Sequence, residues 1–181
     1  MPSYCETVRR GELSNVHQDY HDHDYGFPLH DDNLLFERLV LEINQAGLSW
    51  TTILNKQENF RRAFDEFDIF TVAAYGEKEV SRLLSDASII RNRLKINAAI
   101  ENAKRILVLQ QEYGSFKGWL DTNHPLDVPL WQKLFKKTFV FTGYEIVREF
   151  LLSTGYIAGA HDEGCPVYKH IQKLSPPWMK T

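Results

Sequence analysis

Apolar residues along this chain recur mostly at helical spacing, and no stretch alternates apolar and polar residues over the length of a strand. That pattern restricts the chain to an all-α fold. Asp31 or Asp32 can cap a helix running to about Ala46, with Leu35, Leu39, Glu42 and Ala46 on one stripe, and Gly47 sits where such a helix stops. A second, short helix can begin near Ser49. Glu77 to Asp86 reads as another, and Arg91 to about Tyr113 as a long one ended by Gly114. Trp131 to Lys137 follows, then Gly143 to Ser153 with Gly155 as its stop. Phe139, Val140 and Phe141 are too few to build a sheet. The last stretch, Tyr156 to Thr181, is rich in Gly and Pro and is expected to be irregular.

A length of 181 residues fits a single domain, or two small lobes sharing a core. No apolar run is long enough to span a bilayer, and MPSYCETVRRGEL has no signal-peptide core, so the expected location is the cytoplasm. The formal net charge of −3 counts weakly against nucleic acid. Basic residues nevertheless cluster locally, at Arg91, Arg93 and Lys95 and at Lys133, Lys136 and Lys137. Either cluster can be a phosphate patch or a solvated helix face. The chain has two cysteines, Cys5 and Cys165. In an intracellular protein they leave free thiols or a metal site rather than a disulfide.

Several constellations can carry chemistry. His161 and Cys165 are four apart, so one helical turn or a tight loop can bring both to one ion. Cys5 and His21 can complete a closed tetrahedral site, with His17, His23 and His30 as competing ligands. An open hydrolytic site from His21, His23 and Asp24 is a further possibility. Glu42 falls on the apolar stripe of its helix, where a carboxylate is paired, protonated or facing a cavity. In Gln45-Ala46-Gly47-Leu48-Ser49-Trp50, a Gly47-Leu48 tip can wedge into a base stack and Trp50 can stack on a base; the same string also fits plain helix–turn–helix packing. Thr138 to Gly143 can form a short hairpin, with Gly143 at its turn, that offers backbone N–H groups to a phosphate.

The chain resembles the type I DNA-3-methyladenine glycosylases of the helix-hairpin-helix superfamily. The residues that carry the resemblance are Tyr20-His21-Asp22 with Tyr25-Gly26, Leu41-Glu42, the string Gln45 to Trp50, Ile89-Ile90-Arg91 with Arg93 and Lys95, Phe139 to Gly143, and His161 with Cys165. The resemblance implies an all-α, helix-hairpin-helix glycosylase domain whose ends are stapled by one structural zinc, with Cys5, His21, His161 and Cys165 as ligands. It implies a monomeric, monofunctional enzyme of base excision repair that flips 3-methyladenine out of alkylated double-stranded DNA and hydrolyses its glycosidic bond. Glu42 would accept hydrogen bonds from the base, and Tyr20 and Trp50 would stack on its faces. Gly47, Leu48, Phe141, Thr142 and Gly143 would meet the DNA.

This chain departs from the family pattern at several positions. Cys5-Glu6-Thr7 stands where the family commonly has Cys-Gly-Trp, His17 where it has a second pocket aromatic, and Tyr25 where it has Trp. Ile43-Asn44 replaces a small residue and Gln, and Thr138 replaces the hairpin's first Gly. The stretch from Asp127 to Lys137 is shortened, and Gly159-Ala160-His161 replaces Asn-Asp-His. The losses at Thr7 and His17 predict a looser pocket wall. Such a pocket could take a different alkylated base, or belong to a relative that binds damaged DNA without excising it.

Overall fold

The computed structural model describes residues 1–180; the last position of the expected irregular stretch, Thr181, lies outside the described residues. The chain is all helical, and no described residue is in a strand. The α-helices are, in order, α1 (Tyr4–Arg9), α2 (Asn15–His23), α3 (Asp32–Gln45), α4 (Trp50–Ala63), α5 (Ile69–Ala73), α6 (Glu77–Ser85), α7 (Arg93–Tyr113), α8 (Phe116–Asn123), α9 (Val128–Thr138), α10 (Tyr144–Ser153) and α11 (Pro166–Lys173).

Helix α3 is the central element. Asp31 caps it, accepting from Leu34 N at 3.0 Å, while the neighbouring Asp32 caps another helix by accepting from the backbone N–H groups of Phe116 and Lys117. The helix packs on α4, α7, α8 and α10. It is therefore buried from Leu35 through Asn44, beyond the one stripe its periodicity predicts. That burial takes in Glu37, Arg38 and Glu42. Glu37 is paired with Arg61 at 2.9 Å, and Arg38 donates to Ser153 O at 3.0 Å and lies over the Tyr20 ring.

A second apolar centre forms where α8, α9 and α10 meet. Phe116, Trp119, Trp131, Phe135 and Phe150 pack there with ring centroids 5.4–6.3 Å apart. Helix α9 starts at Val128, earlier than the predicted Trp131, because Asp127 accepts from Leu130 N at 2.9 Å and Pro129 is tolerated in the first turn.

The C-terminal stretch is not irregular throughout. Helix α11 begins with Pro166, whose fixed φ suits a first helical position. Here Pro starts a helix; counting it as a breaker misreads the segment.

Candidate active site

Three elements bring the first half of the site together. Helix α1 is closed by a capping box: Ser3 accepts from Glu6 N, and Glu6 accepts from Ser3 N. That cap sets Cys5 facing inward, 1% exposed. Helix α2 buries His17, Tyr20 and His21. Gly26 follows it at φ 81°, with its N–H on Ser153 O. A Cβ there would stand 2.8 Å from the Ala160 side chain and 3.3 Å from His161, so only glycine lets this turn approach the C-terminal loop.

That approach creates a buried cluster of Cys5, His21, His161 and Cys165, whose ligand atoms all lie within 4.8 Å of one another. Cys5 Sγ and Cys165 Sγ stand 3.5 Å and 3.8 Å from His161 Nδ1, and Cys165 Sγ is 3.7 Å from His21 Nε2. A tetrahedral ion with sulfur at about 2.3 Å and nitrogen at about 2.05 Å has S···N edges of about 3.6 Å. The second nitrogen of each imidazole is already committed. His21 Nδ1–H donates to Asp22 at 2.7 Å, and His161 Nε2–H donates to Tyr25 O at 2.7 Å. Both rings therefore turn an unprotonated nitrogen toward the cluster, the orientation a metal ligand needs. Without a cation, burial pushes the Cys5 thiol up to about 11 and His161 down. The donor set fits a metal ion. The competing histidines are elsewhere: His17 bonds Thr51 and Tyr4, His23 is exposed beside Asp19, and His30 is exposed.

Directly beside this cluster is a cavity of about 360 Å³. Tyr4, Leu13, His17, Tyr20, Tyr25, Glu42, Gln45, Trp50 and Glu149 line it. Glu42 is 4% exposed. Burial pushes its carboxyl up to about 8; the Arg38 guanidinium opposes that rise and Glu149 adds to it. Tyr20 and Trp50 meet edge to face, 5.3 Å apart at 62°. Two plates sandwiching a flat base would stand about 7 Å apart, twice the carbon contact distance. As placed here, the two rings form adjoining walls of a corner.

Thr7 does not line the cavity; its hydroxyl donates to Ser3 O. Tyr4, one helical turn earlier, supplies an aromatic wall instead, edge-on to Tyr25 at 5.5 Å. The wall expected to be loose is therefore aromatic. Glu149 was missed by sequence reasoning because, beside Arg148, it reads as half of a surface ion pair.

Beside the cavity, the turn between its lining residues Gln45 and Trp50 is exposed. Gly47, at φ 80°, has nothing near its α-carbon hydrogens, and Leu48 beside it is 39% exposed. This turn is held from below by Lys95, which is buried and donates to Asn44 O at 2.8 Å and Ala46 O at 2.7 Å. Lys95 thus satisfies the carbonyls at the end of α3 and is not available to a phosphate. Arg93 pairs with Glu77, whereas Lys133, Lys136 and Lys137 are exposed. Lys95→Met is expected to cost about 1.5–3 kcal/mol in urea unfolding, the range for hydrogen bonds to a charged group. It should leave the salt slope of DNA binding unchanged; a slope reduced by about one would put Lys95 on a phosphate after all.

A second exposed turn is the loop between α9 and α10. Its left-handed residue is Phe141, at φ 60° and 39% exposed, and not Gly143, which is extended and caps α10. A strained residue persists only where its surroundings over-determine it. Here the fully buried Asn102 does so, exchanging hydrogen bonds with Val140 N and O. The Thr142 side chain is buried, so only its backbone can face a partner.

These features define an all-helical protein with an aromatic pocket over a buried carboxylate and an exposed turn beside it. Comparison with known proteins agrees. The model of the methyladenine glycosylase family matches residues 11–127. The chain is 39% identical to DNA-3-methyladenine glycosylase 1 of Escherichia coli strain K12, over 82% of this chain and 89% of that one. It superposes on 3-methyladenine DNA glycosylase I of Staphylococcus aureus with a TM-score of 0.79 and 32% identity, covering 91% of this chain and 97% of the other. A variant of 3-methyladenine DNA glycosylase I in complex with 3-methyladenine gives a TM-score of 0.78 at 33% identity, covering 87% and 95%. The chain belongs to the methyladenine glycosylase family, and its fold is that of the 3-methyladenine DNA glycosylase I structures.

Proposed function

We propose that the protein is a monofunctional DNA glycosylase of base excision repair that flips 3-methyladenine out of alkylated duplex DNA and hydrolyses its glycosidic bond. The observation that carries this reading is a buried carboxylate, Glu42, facing a cavity of nucleobase scale between Tyr20 and Trp50. In DNA 3-methyladenine is a cation. A desolvated carboxylate attracts a cation far more strongly than it would in water, which offsets the few kcal/mol of unstacking. As the base leaves with the bonding pair from C1′ it becomes neutral, so no acid is needed. Water adds to C1′, loses a proton, and leaves an abasic site.

In this reading Glu42 accepts hydrogen bonds from the base, and Tyr20 and Trp50 take its faces. Trp50 must then turn from its edge-on position to lie parallel to Tyr20. Gly47 and Leu48 fill the vacated stack, while the backbone of Phe141, Thr142 and Gly143 binds a phosphate with the α10 N-terminus. The ion held by Cys5, His21, His161 and Cys165 is a structural zinc: two thiolates and two imidazoles suit it, and four protein ligands leave no open position for a reacting water. The chain acts as one domain of two helical lobes whose ends the zinc joins, and as a monomer in the cytoplasm. Among the described residues no helix is long and apolar enough to cross a membrane.

Release of 3-methyladenine from methylated duplex DNA tests the reading. Binding to such DNA with the base retained would favour a noncatalytic, damage-binding relative. Trp50→Ala is expected to weaken binding of free 3-methyladenine by roughly 5–100-fold, since stacking on an aromatic ring is worth about 1–3 kcal/mol per base. An unchanged affinity in a calorimetric titration would take Trp50 out of the pocket.

A further inference from the structure

The cavity holds a second carboxylate, on a different element from the first. Helix α10 packs on α3, burying Val147, Phe150 and Leu151. Glu149, between them, is thereby brought to the wall that Glu42 and Tyr25 share. Its side chain is 34% exposed, and Arg148 Nη1 pairs with it at 2.7 Å on the rim.

We propose that Glu149 is a specificity-determining residue of the base pocket, whose charge makes the pocket prefer a cationic purine over a neutral one of the same shape. Two carboxylates facing one small cavity repel each other while it is empty, and a positive ring entering between them relieves that repulsion; a neutral ring does not. The other charged groups nearby do not cancel this preference. Arg38 is committed to Ser153 O and to the face of Tyr20, and Arg148 sits outside on the rim. The acidities of these groups agree with this placement: burial and Glu145 raise the Glu149 carboxyl against Arg148, the Tyr25 hydroxyl favours its ionised form, and Glu149 in turn helps to raise Glu42.

The inference rests on the base-pocket reading, so its test uses binding alone, without excision. Affinities would be measured at mildly alkaline pH for the 3,9-dimethyladeninium cation and for its uncharged 3-deaza isostere. Wild type is expected to prefer the cation. Glu149→Gln should reduce that preference about tenfold, the effect of one partly screened charge, while affinity for the neutral isostere stays the same. Arg148→Leu, which removes the counter-charge, should increase the preference. An unchanged preference in both variants, or an equal loss for both ligands in Glu149→Gln, would overturn the proposal. Failure of wild type to release a base from DNA would refute the glycosylase reading while the binding preference still tests Glu149. Binding of neither ligand by wild type would overturn both.

Discussion

Replacing Cys165 with serine is expected to yield protein without metal and with most of its stability gone. Cys165 contacts both imidazoles of the cluster, and the cluster ties α1 and α2 to the loop before α11. A structural zinc contributes roughly 10–16 kcal/mol of apparent binding energy in small zinc domains, comparable with the 5–15 kcal/mol that holds a typical protein folded. A loss of even about 5 kcal/mol lowers the melting temperature by roughly 10–20 °C for a chain of this size. Elemental analysis should find one zinc per chain in wild type and none in Cys165→Ser, and a strong chelator should reproduce the drop in melting temperature. Excision should fall as well. Tyr20 adjoins the ligand His21, and His161 holds the backbone of Tyr25, so losing the ion frees two walls of the pocket. A variant that is free of metal yet melts like wild type would remove the staple from the account.

Glu42→Gln should separate stability from activity. Gln keeps the size of the side chain but takes no charge, so excision of the cationic base is expected to fall by roughly 10–100-fold, the worth of a charged hydrogen bond. Stability should move the other way. The Glu42 carboxyl is held at about 8 in the folded protein against an ordinary value of 4.5. Between those values the folded state binds a proton that the unfolded state has lost. This group's contribution is therefore favourable at low pH and disappears as pH rises through 8. Above that pH the wild type buries an unfavourable charge that Gln avoids. Each pH unit separating the folded and unfolded values is worth about 1.4 kcal/mol, so Glu42→Gln should be more stable there by roughly 3–5 kcal/mol, or about 6 °C or more in melting temperature. The two proteins should converge as pH falls toward 5. A melting difference that does not grow with pH would show that Glu42 is paired and ionised in the resting pocket.

Much of this was legible in the sequence, and the rest was hidden for physical reasons. The helices with a clear cap and an apolar run, α3, α6, α7 and α10, start and stop within two residues of the expected bounds, whereas α4 starts where Ser49 suggests but runs for 14 residues instead of being short. Helices α1 and α2 carry too little apolar character to be seen by periodicity: what α2 buries is His17, Tyr20 and His21, a metal ligand and pocket walls rather than a greasy stripe. Helix α8, with Phe116, Trp119 and Leu120 buried behind the Ser115 cap, does have a helical signature, and it was overlooked. Spacing alone left several histidines competing for the metal; only the close approach at Gly26 selects His21 and His161. Lys95 was misread as part of a surface basic cluster, and Glu149 was not singled out at all. A lysine in a basic run caps a helix from the interior, and a glutamate beside an arginine faces a cavity. Neither role has a local pattern, because both depend on which distant helix packs alongside.

The most direct test of the central claim is base release. Purified, zinc-loaded protein would be incubated with methylated duplex DNA, and the released bases identified by chromatography, with Glu42→Gln run in parallel. The account predicts free 3-methyladenine from wild type and much less from the variant. Folded, metal-loaded wild type that binds the duplex and releases no base, or a variant that releases it equally well, would contradict it.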